Sequence, residues 1–209
     1  MTAPLEALAF LRRIKPALRL RLGAEDAARE TARWRGEGAA VVGGDGLLYV
    51  AWDLASAEAL ERAEATIRPD GAPRAPDDPV LEAHRELGRQ LGYPSCCVEA
   101  FLQRLVRGVH VRPDGGRASE RVVAVEQALA RSRRRLARLN FLLPGRRALV
   151  PFDPCAFDCP AALEYADALY DVHRNEDPAA AAKLQASLSR TARVTIDDTS
   201  WIDVSFDDF

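Results

Sequence analysis

Four cysteines, gathered into two pairs some 60 residues apart, restrict this chain more than any other feature. Cys96 and Cys97 follow the turn Gly92-Tyr-Pro-Ser95, and Cys155 and Cys159 lie between Pro154 and Pro160. The apolar periodicity around them puts each pair at the start of a helix. A helix N-terminus carries free N–H groups and the positive end of the macrodipole, so it favours thiolates, the form that ligates metal. Four sulfurs match the ligand number of a tetrahedral zinc or a cubane cluster. A single shared site built by Cys96, Cys97, Cys155 and Cys159 is therefore expected, against the plainer reading of four core cysteines. Thiol–disulfide or persulfide chemistry is a further alternative.

The spacing separates the candidate cofactors. Cys155-Ala-Phe-Asp-Cys159 has a zinc-knuckle separation, but the adjacent pair does not. Neighbouring side chains on a helix diverge by about 100°, and a cluster, being larger than one ion, accepts diverging sulfurs more readily. On this ground an iron–sulfur cluster, [4Fe-4S], is the first expectation and zinc the alternative. In ligand chemistry alone, adjacent cysteines resemble the tandem-cysteine cluster site in the small subunit of respiratory NADH dehydrogenase.

The segment Leu87 to Phe101, with its Gly92-Tyr-Pro-Ser-Cys-Cys97, and the segment Val150 to Pro160, with its Pro154-Cys-Ala-Phe-Asp-Cys159, carry a second likeness. Over roughly residues 80–175 the chain resembles an uncharacterised prokaryotic domain family marked by Gly-Tyr-Pro-x-Cys-Cys and Pro-Cys-x-x-x-Cys. The resemblance implies that the four cysteines are the family hallmark and assigns no reaction. Such domains often carry a histidine shortly before the Pro-Cys pair, where this chain has Phe152.

The rest of the chain sets the frame. With 209 residues, 48% hydrophobic and 29% charged, it has the composition of a soluble globular protein. No apolar run spans a bilayer, and Glu6, Arg12, Arg13 and Lys15 interrupt the first stretch, so neither export nor anchoring is expected. A cytoplasmic location follows as an expectation, and reducing conditions there favour metal-bound over disulfide-bonded cysteines.

The expected fold is α+β, mainly helical, with a small N-terminal part containing a β-hairpin and a C-terminal helical part that builds the cysteine site. The boundaries read as 1–67, a Pro-rich linker at 68–79, and 80–209 ending in an acidic tail. Leu5 to Leu22 has helical spacing broken or kinked by Pro16, and Ala24 to Trp34 continues as helix. Ala40–Val42 and Leu47–Trp52 form a hairpin across Gly43-Gly-Asp-Gly46, which a following helix would have to convert into a phosphate loop. Ser56 caps a helix to Ile67, Asp78 with Pro79 caps one ending at Gly92, and Ser95 caps the next. Ser119 to Leu143 is the longest helical pattern, and Ala148 to Phe152 is a short apolar strand or extended segment. Helices follow over Pro160 to Val172 and Pro178 to Leu188. The alternation of Ile202, Val204 and Phe206 reads as a terminal strand on the edge of the N-terminal sheet.

Charge is uneven. Residues 104–147 hold twelve arginines against Asp114, Glu120 and Glu126, whereas residues 194–209 carry five aspartates and no basic residue, so the two stretches can attract each other. Arg131 to Arg138 on a helix can track a phosphate backbone, although a solvated helix face is the commoner use of such a run. His84, His110 and His173 lack metal-binding spacing. Glu99 and Asp158, close to the cysteines, are acid–base candidates, though helix-start carboxylates are the simpler account, and Asp153 is a further cap candidate. No P-loop, Ser-His-Asp order or His-Glu-x-x-His occurs. Two functions follow: an iron–sulfur protein for electron transfer or cluster-dependent, sulfur-transfer-like chemistry with a redox or protein partner, or a zinc-stabilised module contacting nucleic acid or protein through the arginine-rich helix. The sequence does not decide whether the chain is an enzyme. No membrane partner is expected, and nucleic acid is the less favoured macromolecular partner.

Overall fold

Leu47–Ala51 is apolar at every position because this strand, β3, lies between two others and is covered on both faces. The computed structural model describes residues 5–44, 46–67, 77–107, 120–142, 148–195, 200–207 and 209. Two compact units are present, Met1–Tyr93 and Pro94–Phe209. Both are mixed, and the whole is a mainly helical α+β protein.

In the first unit the elements run α1 (Leu5–Leu11), β1 (Ala17–Arg21), α2 (Ala24–Gly36), β2 (Ala40–Gly44), β3, α3 (Leu54–Thr66) and α4 (Pro79–Gln90). The sheet is antiparallel in the order β1-β3-β2, with Leu18 and Val41 both opposite Val50. One face packs Leu18, Val41, Leu48 and Val50 against Phe10 and Trp34 of α1 and α2. The other packs Ala17, Tyr49 and Ala51 against Ala57 and Leu60 of α3 and Leu91 beyond α4. The hairpin is present as expected. The helix expected through Leu22 is corrected: it stops at Leu11, and after Pro16 the chain turns into β1, whose carbonyls and amides pair with β3. The cap of α3 is Asp53 rather than Ser56, and its carboxylate accepts both the Ser56 N–H and the Ser56 hydroxyl at 2.8 Å.

The expected linker boundary also moves. Helix α4 packs along α3, so the first unit extends to Tyr93; residues 68–76 of the expected linker lie outside the described residues. Asp78 caps α4 as expected, its carboxylate accepting the Val80 N–H at 3.0 Å. The helix ends in a Schellman turn, with the Gly92 N–H bonded to Arg89 O at 3.1 Å and the Tyr93 N–H to Gly88 O at 2.9 Å. Gly92 has φ +74°, and a Cβ there would come within 2.6 Å of Pro16 Cδ. Gly92→Ala is therefore expected to destabilise the first unit by roughly 1–2 kcal/mol, read as a lower urea midpoint at unchanged slope.

The second unit holds α5 (Ser95–Arg107), α6 (Glu120–Arg131), a 3₁₀ turn (Ala137–Leu139), α7 (Pro160–Glu176), α8 (Pro178–Leu188), β4 (Ala192–Thr195) and β5 (Trp201–Val204). Its core joins Val122, Val125 and Ala128 of α6 to Phe157, Ala192, Val194 and Val204. The terminal strand exists, but its partner is β4 and not the N-terminal sheet: Val194 stands opposite Ile202, and Arg193 grips Asp203 with two bonds of 2.7 and 2.9 Å. Ala148 to Phe152 forms bends rather than a strand.

The largest correction concerns the helix expected over Ser119 to Leu143, which ends at Arg131. The cause is competition for backbone partners. Ser132 Oγ donates back to Ala128 O at 2.5 Å and accepts the Phe157 N–H at 2.7 Å. Asp158 accepts the N–H groups of Arg133 and Arg134 at 2.9 and 3.0 Å, and the Leu136 N–H donates to Phe157 O at 3.1 Å. These amides would otherwise have continued the helix ladder. Arg135 exchanges two bonds with Asp207, its N–H donating to the carboxylate at 3.2 Å and its carbonyl accepting the Asp207 N–H at 2.9 Å. The acidic tail thus meets the arginine segment through the backbone. At its end Phe209 packs edge-on to Tyr170 at 4.7 Å, under the Arg138 guanidinium at 4.9 Å.

Candidate metal centre

The first pair is placed by the opening turn of α5. The Pro94 carbonyl accepts the N–H groups of Cys97 and Val98 at 2.9 and 3.0 Å, so Ser95, expected as the cap, is instead the first helical residue. Side chains on a helix lean toward its N-terminus. On the first turn that lean carries both sulfurs past the helix end, and Cys96 Sγ and Cys97 Sγ lie only 4.0 Å apart despite being sequence neighbours. Further along the same face, Phe101 and Arg104 follow Cys97 at helical spacings of four and seven.

The second pair is placed by the core. Phe157, in the middle of the Cys-x-x-x-Cys loop, has 0% exposure, stacks on Phe141 at 5.6 Å and meets Phe206 edge-on at 5.4 Å. Its N–H and carbonyl are taken by Ser132 and Leu136, and the neighbouring Asp158 is bound to two arginine amides. The loop is fixed at ring, backbone and carboxylate. Cys159 then begins α7, its N–H turning back to Ala156 O at 3.2 Å and its carbonyl accepting from Leu163 at 2.9 Å, with Pro160 at the first helical position.

The two pairs meet. Cys159 Sγ lies 3.5 Å from Cys96 Sγ and 3.9 Å from Cys97 Sγ, the Cys155 N–H points at Cys97 Sγ from 3.4 Å, and all four sulfurs lie within 4.8 Å of one another. None is in a disulfide. Cys97 and Cys159 are buried, Cys155 is half-buried and Cys96 is exposed. Four clustered cysteines of this kind can hold a metal ion. Among the described residues no histidine or carboxylate joins them. His84 belongs to the first unit, His173 sits on α7, and His110 lies outside the described residues.

Helix ends do not lower all the thiol pKa values, as the sequence alone suggests. Burial pushes Cys97 far up, and it pushes Cys155 up to about 12, with the thiols of Cys159 and Cys96 adding to the effect. At Cys159 burial acts the same way, but the Ala162 N–H in the first turn of α7 and the other three thiols outweigh it and hold that thiol below its ordinary value. The sign of the pH dependence follows. Without metal, the raised Cys97 and Cys155 contribute stability at neutral pH that is lost as pH rises past the ordinary thiol range toward 12. A cation must displace at least those two protons, so its affinity is expected to fall by roughly a hundredfold or more per pH unit on acidification below neutrality. Chelator competition at pH 6, 7 and 8 measures this slope.

Sequence reasoning misses Arg104, whose guanidinium is buried yet charged. It donates to Asp153 at 2.8 Å and to Gln127 Oε1 at 2.7 Å, tying the second cysteine loop and α6 to α5. The signal was present in its place on the Cys97 face of α5. Asp153 is thus an ion-pair partner and not a cap. Asp158, an acid–base candidate from its position, spends its carboxylate on the backbone of Arg133 and Arg134, and Glu99 follows Cys97 by two residues on α5. The arginine run expected on a helix is an irregular segment on which Arg133, Arg134 and Arg135 are exposed.

No protein-family model, curated protein or solved structure matches the chain. Among the described residues no helix is long and apolar enough to cross a membrane.

Proposed function

We propose that Pro94–Phe209 is a zinc-stabilised binding module, with one ion held by Cys96, Cys97, Cys155 and Cys159. The observation that carries this reading is the sulfur spacing of 3.5, 3.9 and 4.0 Å, with every pair within 4.8 Å. Four thiolates around one zinc at about 2.3 Å form a tetrahedron with edges of roughly 3.8 Å. A cubane cluster, bound by one thiolate at each iron corner, sets its cysteine sulfurs roughly 6 Å apart. The donor set is all thiolate, which suits zinc and iron–sulfur clusters alike, so the sulfur spacing carries the choice. The divergence of Cys96 and Cys97, which in sequence favours the larger cluster, loses its force at a helix end.

A bound zinc supplies positive charge and no redox chemistry. A ligand set of four thiolates is closed, leaving no position for substrate, and this supports a structural role over Lewis-acid catalysis. The ion joins the start of α5 to the start of α7, and the same loop that carries Cys155 and Cys159 holds the exposed Arg133 and Arg134 through Asp158, with the exposed Arg135 next in the chain. That segment suits a phosphate backbone, which makes nucleic acid the partner chemistry of this reading.

Metal analysis of the purified full chain tests the centre, with one zinc per chain and colourless protein as the expected result. Iron with acid-labile sulfide and broad absorbance at roughly 400 nm would instead establish the cluster. For the partner, binding to RNA or DNA that weakens steeply with salt and is reduced by Arg133→Ala with Arg135→Ala is expected; salt-insensitive or absent binding removes nucleic acid.

A further inference from the structure

The four sulfurs are unequal in access, and this inequality gives the centre a reactive edge. Cys96 is exposed, whereas Cys97 and Cys159 are buried. Cys96 Sγ and Cys159 Sγ are 3.5 Å apart, roughly 1.5 Å beyond a disulfide bond. The two residues come from different helix ends, so their bond needs no distortion within one turn. A bond between Cys96 and Cys97 would have to twist the peptide that joins them at the start of α5. Cys97 and Cys159, at 3.9 Å, are both closed to an oxidant in solvent. Resting on the zinc reading, we infer that Cys96 and Cys159 form a peroxide-sensitive pair whose oxidation to a disulfide releases the ion.

The chemistry balances with hydrogen peroxide as the oxidant. The Cys96 thiolate attacks one peroxide oxygen; an S–O bond forms, the O–O bond breaks, and the other oxygen leaves as hydroxide. The Cys159 thiolate then attacks the Cys96 sulfur; the S–S bond forms and the first oxygen departs as a second hydroxide. Both hydroxides take up protons from the buffer acid at neutral pH and become water. Two thiolates lose two electrons, which reduce one peroxide. Two of the four ligands are consumed, and Cys97 with Cys155 alone cannot close a tetrahedral site.

The test treats the zinc-loaded full chain with hydrogen peroxide, follows zinc with a chromogenic chelator, and maps disulfides by peptide mass spectrometry after blocking free thiols. The expected result is one zinc released per Cys96–Cys159 link, with no release and no link in a sample kept free of peroxide. Retention of zinc under excess peroxide, or linkage of another pair, overturns the inference. A preparation that carries no zinc before peroxide refutes the zinc reading instead, and the same map on the bare thiols still decides whether Cys96 pairs with Cys159.

Discussion

Replacing Cys159 by serine is expected to abolish zinc retention and the cooperative melting of Pro94–Phe209. Cys159 is 5% exposed, begins α7 and lies within 4 Å of both Cys96 Sγ and Cys97 Sγ, so the hydroxyl that replaces it falls inside the sulfur cluster. Structural zinc contributes on the order of 10 kcal/mol or more of binding energy at pH 7, which is comparable to the net stability of a typical domain, about 5–15 kcal/mol. The segments most dependent on it are the irregular ones. Residues 132–136 and 148–159 contain no regular helix or strand and are held by the Phe157 ring, by Ser132 and by Asp158. Calorimetry with parallel metal analysis measures both quantities. A variant that melts like the parent after losing its zinc would mean that the ion does not hold the unit together.

The second large effect lies at Arg104. Its guanidinium is buried, with 4% of the side chain exposed, whereas the Asp153 side chain is 36% exposed. Removing the carboxylate strands a cation in the interior; removing the cation leaves a carboxylate that water can reach. Asp153→Ala is therefore expected to cost about 2–3 kcal/mol, below the range for a wholly buried pair because Asp153 keeps solvent access. Arg104→Met, which fills the same space without charge, is expected to stay within about 1 kcal/mol of the parent. Urea denaturation of the two variants side by side checks the asymmetry, and equal losses would contradict it. Because Asp153 precedes the Pro154-Cys155 step, Asp153→Ala is also expected to loosen zinc retention before it unfolds the unit.

What the sequence makes legible here follows from how local each determinant is. The Ala40 to Ala51 hairpin, the Asp78-Pro79 helix start and the Gly92 stop are each decided within a few residues and read correctly. The convergence of the cysteines is also legible, because rare residues at two helix starts share one chemical need. The end of α6 is not. Leu136 and Leu139 continue a helical spacing, but the bonds that end the helix come from Phe157, Asp158 and Asp207, far along the chain. Strand β1 escapes notice for the same reason, since the pairing that makes Ala17–Arg21 a strand is supplied by Leu47–Ala51. The sequence preference for a cluster over zinc rests on the angular divergence of adjacent side chains on a helix, and the 4.0 Å between Cys96 Sγ and Cys97 Sγ is a separation that the spacing alone does not give.

X-ray absorption at the metal edge of the purified protein addresses the central claim most directly. The account predicts a zinc edge with a single shell of four sulfur neighbours at about 2.3 Å. An iron edge with short iron–iron scattering, or a zinc shell completed by nitrogen or oxygen, would contradict it.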